Sequence, residues 1–282
     1  MSAPASAALA SPASRALLAD GVGIPWLGLG VYQARPGAAT RDAVLEALRA
    51  GYRHVDTARV YGNERDVGAA LRESALPRDE VFVTTKLWNA DHGYDAALRA
   101  ARLSLERLGL ERVDLYLVHW PVEGLRRDTW RAMERLRDDG LARSIGVSNY
   151  TVRHLEELLG HARIPPSVNQ VELHPFLPQW ELQEWARRHR IQLEAYAPLV
   201  KARRMDHPVL ARVAARTGRT PAQVLVRWSL EHGLVTLPKS VRPERIRENA
   251  AVFGFALSPA DLAELDALDE GLRTSWDPTD AP

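Results

Sequence analysis

Short apolar runs alternate with amphipathic segments along the chain from Gly21 onward. Several of the runs, such as VFVTT and VDLYLV, are apolar on both faces, which is typical of parallel strands that are covered on both sides. Eight of these runs are predicted to be strands: Leu27–Val31, Arg53–Asp56, Val81–Lys86, Val113–His119, Ser144–Ser148, Val168–Glu172, Gln192–Ala197 and Val235–Lys239.

The segments between these runs have the periodicity and the end signals of helices. One apolar stripe recurs at three- and four-residue steps, at Leu98, Ala101, Leu105 and Leu108. Thr220–Gln223 combines an N-cap residue, a proline at the first helical position and a capping-box glutamine, and Ser258–Asp261 opens the last helix in the same manner. Eight strand–helix alternations predict an α/β protein with one domain, a (β/α)8 TIM barrel.

Length and composition agree with a single barrel. The chain has 282 residues, of which 46% are hydrophobic and 26% charged, and one barrel commonly needs about 250 residues. The 37 basic and 36 acidic side chains nearly balance, so nothing in the charge indicates nucleic acid or a membrane surface as a partner. The absence of cysteine excludes disulfides and thiolate metal sites, and it is compatible with a cytoplasmic location.

The two ends of the chain differ in character from the barrel. Residues 1–20 are rich in Ala and Ser but lack the basic start and the apolar core of a signal peptide, so we expect a disordered N-terminal extension. Residues 21–282 are expected to form the barrel with a C-terminal tail, GLRTSWDPTDAP, that is polar enough to be a mobile flap. No apolar run is long enough to cross a bilayer, and no heptad pattern demands a partner, so we expect a monomer.

Polar side chains occur at the ends of nearly all the predicted strands. Asp56 is the last residue of a predicted buried strand. An unpaired buried charge costs roughly several kcal/mol, so Asp56 needs a cation as a partner. Lys86, at the end of the next predicted strand, is the candidate. Active sites of barrels lie where strands end, and a barrel stabilised by packing alone needs no such groups. The strand ends therefore predict a site that contains Asp56, Lys86, His119, Ser148, Asn149, Gln170, Glu172, Tyr196, Lys239 and Ser240.

A structural interpretation exists for each of these residues alone. A histidine at a strand end is more often a buried structural residue, and an Asp–Lys pair is often an internal ion pair. Taken together, polar residues on three neighbouring strands favour a functional site. His54 lacks such company, and we interpret it as structural.

The motifs HVDTARVYGNE, TTKLW, DLYLVHWP, IGVSNY, NQVELHP, AYAPL and LPKSVRPERIREN resemble, in order, those of the aldo-keto reductase superfamily. The resemblance covers roughly Ile24 to Asp269 and is nearest to the bacterial branch that resembles diketogluconate reductases. It implies a (β/α)8 barrel that reduces aldehydes and ketones with NADPH. The catalytic tetrad of the family carries over to Asp56, Tyr61, Lys86 and His119.

The four residue types suit that reaction. Hydride transfer to a carbonyl carbon leaves charge on the oxygen, so a proton donor has to be in place. Tyr61 is the candidate acid, and we expect the Lys86 ammonium to lower its pKa from about 10 while Asp56 holds Lys86 in place. We expect His119 to orient the substrate carbonyl through a hydrogen bond, and the same groups to serve the reverse oxidation.

No dinucleotide-binding fingerprint is present, since Gly28–Gln33 lacks the third glycine of G-x-G-x-x-G. Lys239, Ser240 and Arg245 instead lie around a strand end and a helix start, where backbone N–H groups favour an anion. We interpret the neighbouring Arg242, Glu244 and Arg247 as a solvated helix face.

The resemblance assigns further roles toward NADPH and NADP⁺. It implies that Lys239, Ser240 and Arg245 bind the adenosine 2′-phosphate and that Glu248 and Asn249 contact the adenine. Three more residues match the hydrogen-bonding partners of the nicotinamide carboxamide, and Tyr196 matches the aromatic residue on which the ring stacks. The three carboxamide partners are Ser148, Asn149 and Gln170.

Tyr32, Trp88 and Trp120 lie beside the proposed chemistry and match aromatic pocket positions of the family, which predicts an apolar slot for a small carbonyl substrate. Trp26 and Trp276 are further candidates for this slot.

Two other classes of protein remain open. One is a barrel that binds NADPH without turnover. The other, a metal-dependent hydrolase, would use His54, Asp56, His119, Glu172 and His174, but these residues lack H-x-H or H-E-x-x-H spacing, and we expect no metal.

Overall fold

The computed structural model describes residues 11–281. Eight parallel strands, numbered β3 to β10, form one sheet in chain order, and a two-stranded antiparallel hairpin precedes them. The hairpin consists of β1 (Arg15–Leu17) and β2 (Gly23–Pro25), and the sheet of β3 (Leu29–Gly30), β4 (His54–Asp56), β5 (Phe82–Leu87), β6 (Val113–Val118), β7 (Ala142–Ser148), β8 (Val168–Glu172), β9 (Gln192–Tyr196) and β10 (Val235–Leu237).

Helices follow the strands and cover the outside of the sheet. They are α1 (Ala38–Arg49), α2 (Glu64–Glu73), α3 (Tyr94–Leu108), α4 (Arg126–Asp138), α5 (Val152–Leu159), α6 (Trp180–Arg188), α7 (Pro208–Thr217), α8 (Pro221–Glu231), α9 (Pro243–Ala250) and α10 (Pro259–Asp266). Every residue of β5 and β6 is buried, as the apolar runs without a polar face predict. The predicted helix starts are also confirmed, because Thr220 and Ser258 each cap the backbone three residues on.

The first and last strands close the sheet into a barrel. Leu27 pairs with Thr236 in a parallel bridge, and the Gly28 N–H donates to the Thr236 carbonyl oxygen at 3.0 Å. A Cβ at position 28 would lie 2.6 Å from Cδ2 of Leu237 and 2.7 Å from Nδ1 of His54, so this glycine is required by the closure. The structure therefore confirms the (β/α)8 barrel.

The observed strands differ from the predicted ones mainly at their ends. The first predicted strand, Leu27–Val31, contracts to Leu29–Gly30, because the residues before it bond to the far end of the sheet rather than to β4. His54, which we interpreted as structural, is fully buried, and its Nε2 lies 3.0 Å from the Thr84 hydroxyl oxygen.

The expectation of a disordered extension over residues 1–20 is wrong for residues 11–20. Arg15–Leu17 pairs with Gly23–Pro25, and the Arg15 guanidinium donates to the backbone oxygens of Gly23 and Glu80, each at 3.1 Å. These bonds tie the segment to the barrel. The remainder of the predicted extension, residues 1–10, lies outside the described residues. In the part of the chain that the structure describes, no helix has the length and apolarity needed to cross a bilayer.

Candidate active site

A cavity of about 850 Å³ opens at the carboxyl ends of the barrel strands. Its wall includes the last residues of five strands, Gly30, Asp56, Ser148, Tyr196 and Leu237, together with Gln170 from the middle of β8. Loops and the C-terminal segment supply the remainder of the wall. The volume lies within the range of about 300–1,000 Å³ that is usual for small-molecule and cofactor sites. A barrel with such a cavity at this end is the architecture of a barrel enzyme.

An ion pair lies directly beneath a phenol at the floor of this cavity. Lys86 Nζ donates to both carboxylate oxygens of Asp56, at 2.6 and 2.7 Å, and to the Thr57 carbonyl oxygen at 3.0 Å. Its remaining near neighbour is the Tyr61 hydroxyl, at 3.5 Å. Lys86 is fully buried on β5 and Asp56 almost fully buried on β4, so the barrel fixes the pair from two neighbouring strands. Tyr61 follows on the short 3₁₀ helix Arg59–Tyr61.

The pKa of Tyr61 differs from the sequence-based expectation. Burial raises it well above 10, and the Asp56 carboxylate and other neighbours raise it further. The expectation that Lys86 lowers this pKa is wrong for this structure because Asp56 bonds the ammonium at close range and offsets its charge. Tyr61 therefore carries its proton throughout the physiological pH range.

His119 follows β6 and faces the same cavity. Its ring centroid lies 5.8 Å from that of Tyr61 and 5.3 Å from that of Trp88, both in edge-on arrangements. Burial, with a smaller contribution from the nearby Lys86 charge, lowers the pKa of His119 well below 6.5. The imidazole is therefore neutral at pH 7, and it has one N–H donor and one acceptor nitrogen.

A second set of polar groups lines the wall between β7 and β9. Asn149 has a left-handed backbone, with φ 63°, which asparagine tolerates better than most residues. This conformation lets its amide donate to the His119 carbonyl oxygen at 3.0 Å, while the Tyr196 hydroxyl donates to its Oδ1 at 2.8 Å. The Ser148 hydroxyl donates to the Gln170 carbonyl oxygen at 2.8 Å. The carboxamide partners predicted from the sequence thus lie side by side on one wall.

The residues predicted to bind the adenosine half of the cofactor lie farther out. Lys239 lines the cavity, whereas Ser240, Arg245, Glu248 and Asn249 lie beyond its lining, on α9 or just before it. Lys239 and Arg245 form no ion pair within residues 11–281, while Arg247 pairs with Glu46 at 2.6 Å, as a structural side chain would. The Glu248 carboxylate accepts a hydrogen bond from the Thr220 hydroxyl.

Aromatic rings form the outer part of the cavity. Tyr32, Trp88 and Trp120 all line it, and Trp276 from the C-terminal segment closes the group. Trp26, the other tryptophan considered for this slot, is buried and does not line the cavity. The Trp120 and Trp276 ring centroids lie 4.6 Å apart with an interplanar angle of 64°. A ligand in this outer region would meet ring faces and edges rather than charged groups.

The C-terminal segment is tied to the barrel through one buried carboxylate. Glu172, at the end of β8, accepts hydrogen bonds from the Thr274 backbone N–H at 2.8 Å, from the Thr274 hydroxyl and from the Ser275 N–H at 3.0 Å. Burial alone would raise the pKa of Glu172, but the hydrogen bonds from His174 and from the C-terminal segment outweigh it and lower that pKa. Lys201 Nζ donates to the Thr274 carbonyl oxygen at 2.6 Å and adds a second anchor. Trp276 therefore extends from an anchored segment.

Several residues at or beside this cavity were not predicted from the sequence. Lys201, Thr274 and Ser275 line the cavity, although nothing in their local pattern indicates it. Glu194 was also missed, and it is a fully buried carboxyl on β9. A signal for Glu194 does exist, because it stands two residues before Tyr196 in the strand and so faces the same side of the sheet.

The residues of the alternative metal site do not converge. Across residues 11–281, the structure contains no group of three or more His, Asp and Glu side chains arranged to hold a metal ion. Asp56 bonds to Lys86, and Glu172 bonds to the C-terminal segment. The hydrolase alternative thus gains no support from the geometry.

The chain is similar to known proteins along most of its length. A model of the aldo/keto reductase family matches residues 27–270. Glyoxal reductase of Bacillus subtilis is 48% identical over 261 residues, which cover 93% of this chain and 95% of that protein. The 9,11-endoperoxide prostaglandin H2 reductase of Trypanosoma cruzi is 47% identical over 264 residues, with 93% of each protein covered.

Solved structures agree with the sequence relatives. The crystal structure of an aldo/keto reductase from Brucella melitensis superposes with a TM-score of 0.87 at 43% identity, covering 90% of this chain and 99% of the other. MGS-M4, an aldo-keto reductase from a Medee basin deep-sea metagenome library, gives a TM-score of 0.91 at 41% identity, with 93% and 97% covered. The chain belongs to the aldo/keto reductase family. The narrower placement near diketogluconate reductases stays a prediction.

Proposed function

We propose that this protein reduces aldehydes and ketones to alcohols with NADPH, reversibly, and that Tyr61 donates the proton. One observation carries the proposal: at the floor of the cavity, the Tyr61 hydroxyl lies 3.5 Å from the ammonium of a buried Lys86–Asp56 pair. When bound, the nicotinamide would supply the hydride.

Tyr61 is suited to the proton transfer by its surroundings. Its raised pKa keeps the phenol protonated at pH 7, which is the state that reduction of a carbonyl requires. As the proton leaves, negative charge develops on the phenolic oxygen next to the Lys86 ammonium, and this charge is stabilised more strongly in a buried site than in water. Asp56 holds the ammonium in position and keeps it charged.

His119 would orient the substrate carbonyl. Its neutral ring can donate one hydrogen bond into the cavity, and its edge-on packing against Tyr61 and Trp88 restricts the ring to one direction. A neutral donor polarises the carbonyl oxygen without competing with Tyr61 for the role of acid.

The residues of the wall fit a nicotinamide cofactor. Ser148, Asn149 and Gln170 present amide and hydroxyl groups side by side, and Tyr196 presents a ring at the same height of the barrel. The carboxamide of nicotinamide has an NH₂ donor and an oxygen acceptor, so it needs both acceptors and donors beside it. These residues would therefore hold the nicotinamide end.

The outer cations suit the 2′-phosphate of NADPH. Lys239 and Arg245 lack a carboxylate partner within the described chain. Burial lowers the pKa of Lys239 because it disfavours the charged ammonium. A bound anion would pair with both side chains and stabilise that charge. Ser240 and the N-terminus of α9 add hydroxyl and backbone donors. Glu248 and Asn249 would lie at the adenine.

The substrates would be small carbonyl compounds that fit the aromatic slot of Tyr32, Trp88 and Trp120. Glyoxal, which the name of the Bacillus relative suggests, is the first compound to test. We further propose that the protein is a monomer, since no heptad pattern demands a partner, and that it acts in the cytoplasm, with which the lack of cysteine is compatible.

The test is the loss of NADPH absorbance with glyoxal and a panel of aliphatic and aromatic aldehydes, with and without a metal chelator. We expect turnover that the chelator does not affect. Cofactor binding without turnover of any aldehyde would favour the non-catalytic NADPH-binding alternative, and turnover that the chelator abolishes would favour a metal enzyme.

A further inference from the structure

Two carboxyl groups share the interior of the barrel with one lysine. Asp56 bonds directly to Lys86, whereas Glu194, on β9, is fully buried and forms no direct bond to the ammonium. The reaction proposed above uses Asp56 and Lys86 but gives Glu194 no role. A buried carboxyl without a cation is costly, so its presence calls for an explanation.

Glu194 and Asp56 are joined through the amide of Gln170. The Gln170 Nε2 donates to Glu194 Oε2 at 2.6 Å and to Asp56 Oδ2 at 2.9 Å. The Asp56 carboxylate, paired with Lys86, can only accept hydrogen bonds, so it requires the amide nitrogen of Gln170 and not the amide oxygen. Glu194 Oε2 then lies at the same nitrogen as a second acceptor, through a carboxylate oxygen or through the carbonyl oxygen of the neutral carboxyl. The two carboxyl groups thus select one of the two flipped orientations of the Gln170 amide. Gln170 lines the cavity, and within residues 11–281 its Oε1 accepts no hydrogen bond from the protein.

We propose that Glu194 is a positioning residue which, together with Asp56, holds Gln170 by its amide nitrogen and so presents the amide oxygen to the cofactor. The inference rests on the proposed function and extends it to a residue that does not touch the ligand. An amide oxygen can meet only a hydrogen-bond donor, and the nicotinamide carboxamide offers its NH₂ group. Glu194 would thereby determine which way the carboxamide turns.

The charge of Glu194 gives this role a measurable signature. Burial, with the Asp56 carboxylate, raises the pKa of Glu194 to about 8. His54 Nε2 lies 3.7 Å from Glu194 Oε1 but cannot neutralise it, because burial lowers the pKa of His54 to about 3. Besides Asp56 and His54, the titratable or charged groups around it are Lys86 from β5 and Tyr61 above the pair. Lys86 is already bonded to Asp56, and Tyr61 keeps its proton.

Glu194 is therefore mainly neutral at pH 7 and mainly negative at pH 9. A negative charge at this depth favours a positively charged nicotinamide ring over a neutral one. Raising the pH should thus strengthen the binding of NADP⁺ relative to NADPH. The titration of the 2′-phosphate is common to both nucleotides and cancels in the ratio of their dissociation constants.

The test measures the Kd of NADPH and of NADP⁺ by tryptophan fluorescence quenching from pH 6.5 to 9, for wild type, Glu194→Gln and Glu194→Leu. In wild type, the ratio of Kd for NADP⁺ to Kd for NADPH should fall about fivefold between pH 7 and 9. Glu194→Gln keeps an acceptor for Gln170 but has no ionisable proton, so its ratio should stay constant over this range. Glu194→Leu removes the acceptor, and we expect about tenfold weaker binding of both nucleotides at pH 7.

An equal fall of the ratio in wild type and Glu194→Gln would overturn the proposal, as would a Glu194→Leu variant that binds both nucleotides like wild type. If Glu194→Leu does not fold, the pH dependence of Glu194→Gln decides alone. Wild-type protein that binds neither nucleotide would instead refute the proposed function, so the two failures are distinguishable.

Discussion

The Lys86 ammonium lies 3.5 Å from the Tyr61 hydroxyl while it donates to both oxygens of the Asp56 carboxylate. This relationship joins β5 to the turn that follows β4. It places a charge where a departing proton would leave one behind. The proposed reaction depends on this contact.

Replacing Lys86 with Met should leave the Asp56 carboxylate buried without a cation. We expect a loss of about 3–5 kcal/mol in the free energy of unfolding, since breaking a buried pair exposes the cost of desolvating the remaining charge. The measurement is urea unfolding of Lys86→Met, of Asp56→Asn and of the double variant. The double variant should be more stable than Lys86→Met alone. Losses that simply add in the double variant would show that the two side chains do not depend on each other.

The stability of the protein should depend on pH through Glu194. In the unfolded chain a glutamate has a pKa of about 4.3. In the folded protein the pKa of Glu194 is raised to about 8. Between these values the folded state holds a proton that the unfolded state has lost, so Glu194 makes folding less favourable as the pH rises toward 8, and the effect is constant above it.

Glu194→Gln removes this pH dependence. Relative to wild type, the variant should gain about 3 kcal/mol in unfolding free energy between pH 5 and pH 8. Urea unfolding at both pH values gives the difference, and Glu181→Gln, at an exposed glutamate of α6, is the matched control that should show none. A gain that is the same at both pH values would contradict the raised pKa.

Arg245→Ala should discriminate between the two nicotinamide dinucleotides. Because its guanidinium is proposed to bind the 2′-phosphate, the variant should bind NADPH about tenfold more weakly and NADH within about twofold of wild type. Arg242→Ala is the matched control, since Arg242 is an exposed arginine three residues earlier that we assign to the solvated face. Equal losses for NADPH and NADH would remove Arg245 from the phosphate site.

Glu172→Gln should loosen the C-terminal segment. The carboxylate accepts hydrogen bonds from Thr274 and Ser275, and a glutamine would turn an NH₂ group toward at least one of these donors. We expect faster hydrogen exchange at the Ser275 amide and a KM for aromatic aldehydes that rises about fivefold, with kcat within about twofold of wild type.

Trp276→Ala provides the comparison for Glu172→Gln. It should raise the same KM, because it removes the ring that lies 4.6 Å from Trp120, without faster exchange at Ser275. If Glu172→Gln leaves both the exchange rate and the KM unchanged, the carboxylate does not hold the segment.

The barrel could be predicted because its signal is repeated many times. Eight apolar runs with helices between them leave few alternatives. The contact of Gly28 with the last strand was not predicted, because it depends on a residue more than 200 positions away along the chain. The hairpin of Arg15–Leu17 could not be predicted in this way. A strand of three residues has no periodicity, and its stability comes from contacts with distant backbone, such as the bond from Arg15 to the Glu80 carbonyl oxygen.

The identities of the main site residues could be predicted from the sequence, but their protonation states could not. Strand ends and the family resemblance pointed to Asp56, Lys86 and Tyr61, which the structure brings together. The direction of the Tyr61 pKa shift depends on burial and on how closely Asp56 offsets Lys86, which are three-dimensional quantities. Glu194 was missed because its one sequence signal, a position two residues before Tyr196 in the same strand, indicates which face of the sheet it shares but no chemical role.

The most direct test of the account is the Tyr61→Phe variant, which removes one hydroxyl and preserves the ring. We measure kcat with glyoxal and the Kd of NADPH for the variant and for wild type at pH 7. We expect a kcat at least about 100-fold lower, because the proton donor is gone, and a Kd for NADPH within about threefold of wild type. A variant that binds NADPH normally and turns over at the wild-type rate would contradict the assignment of Tyr61 as the acid.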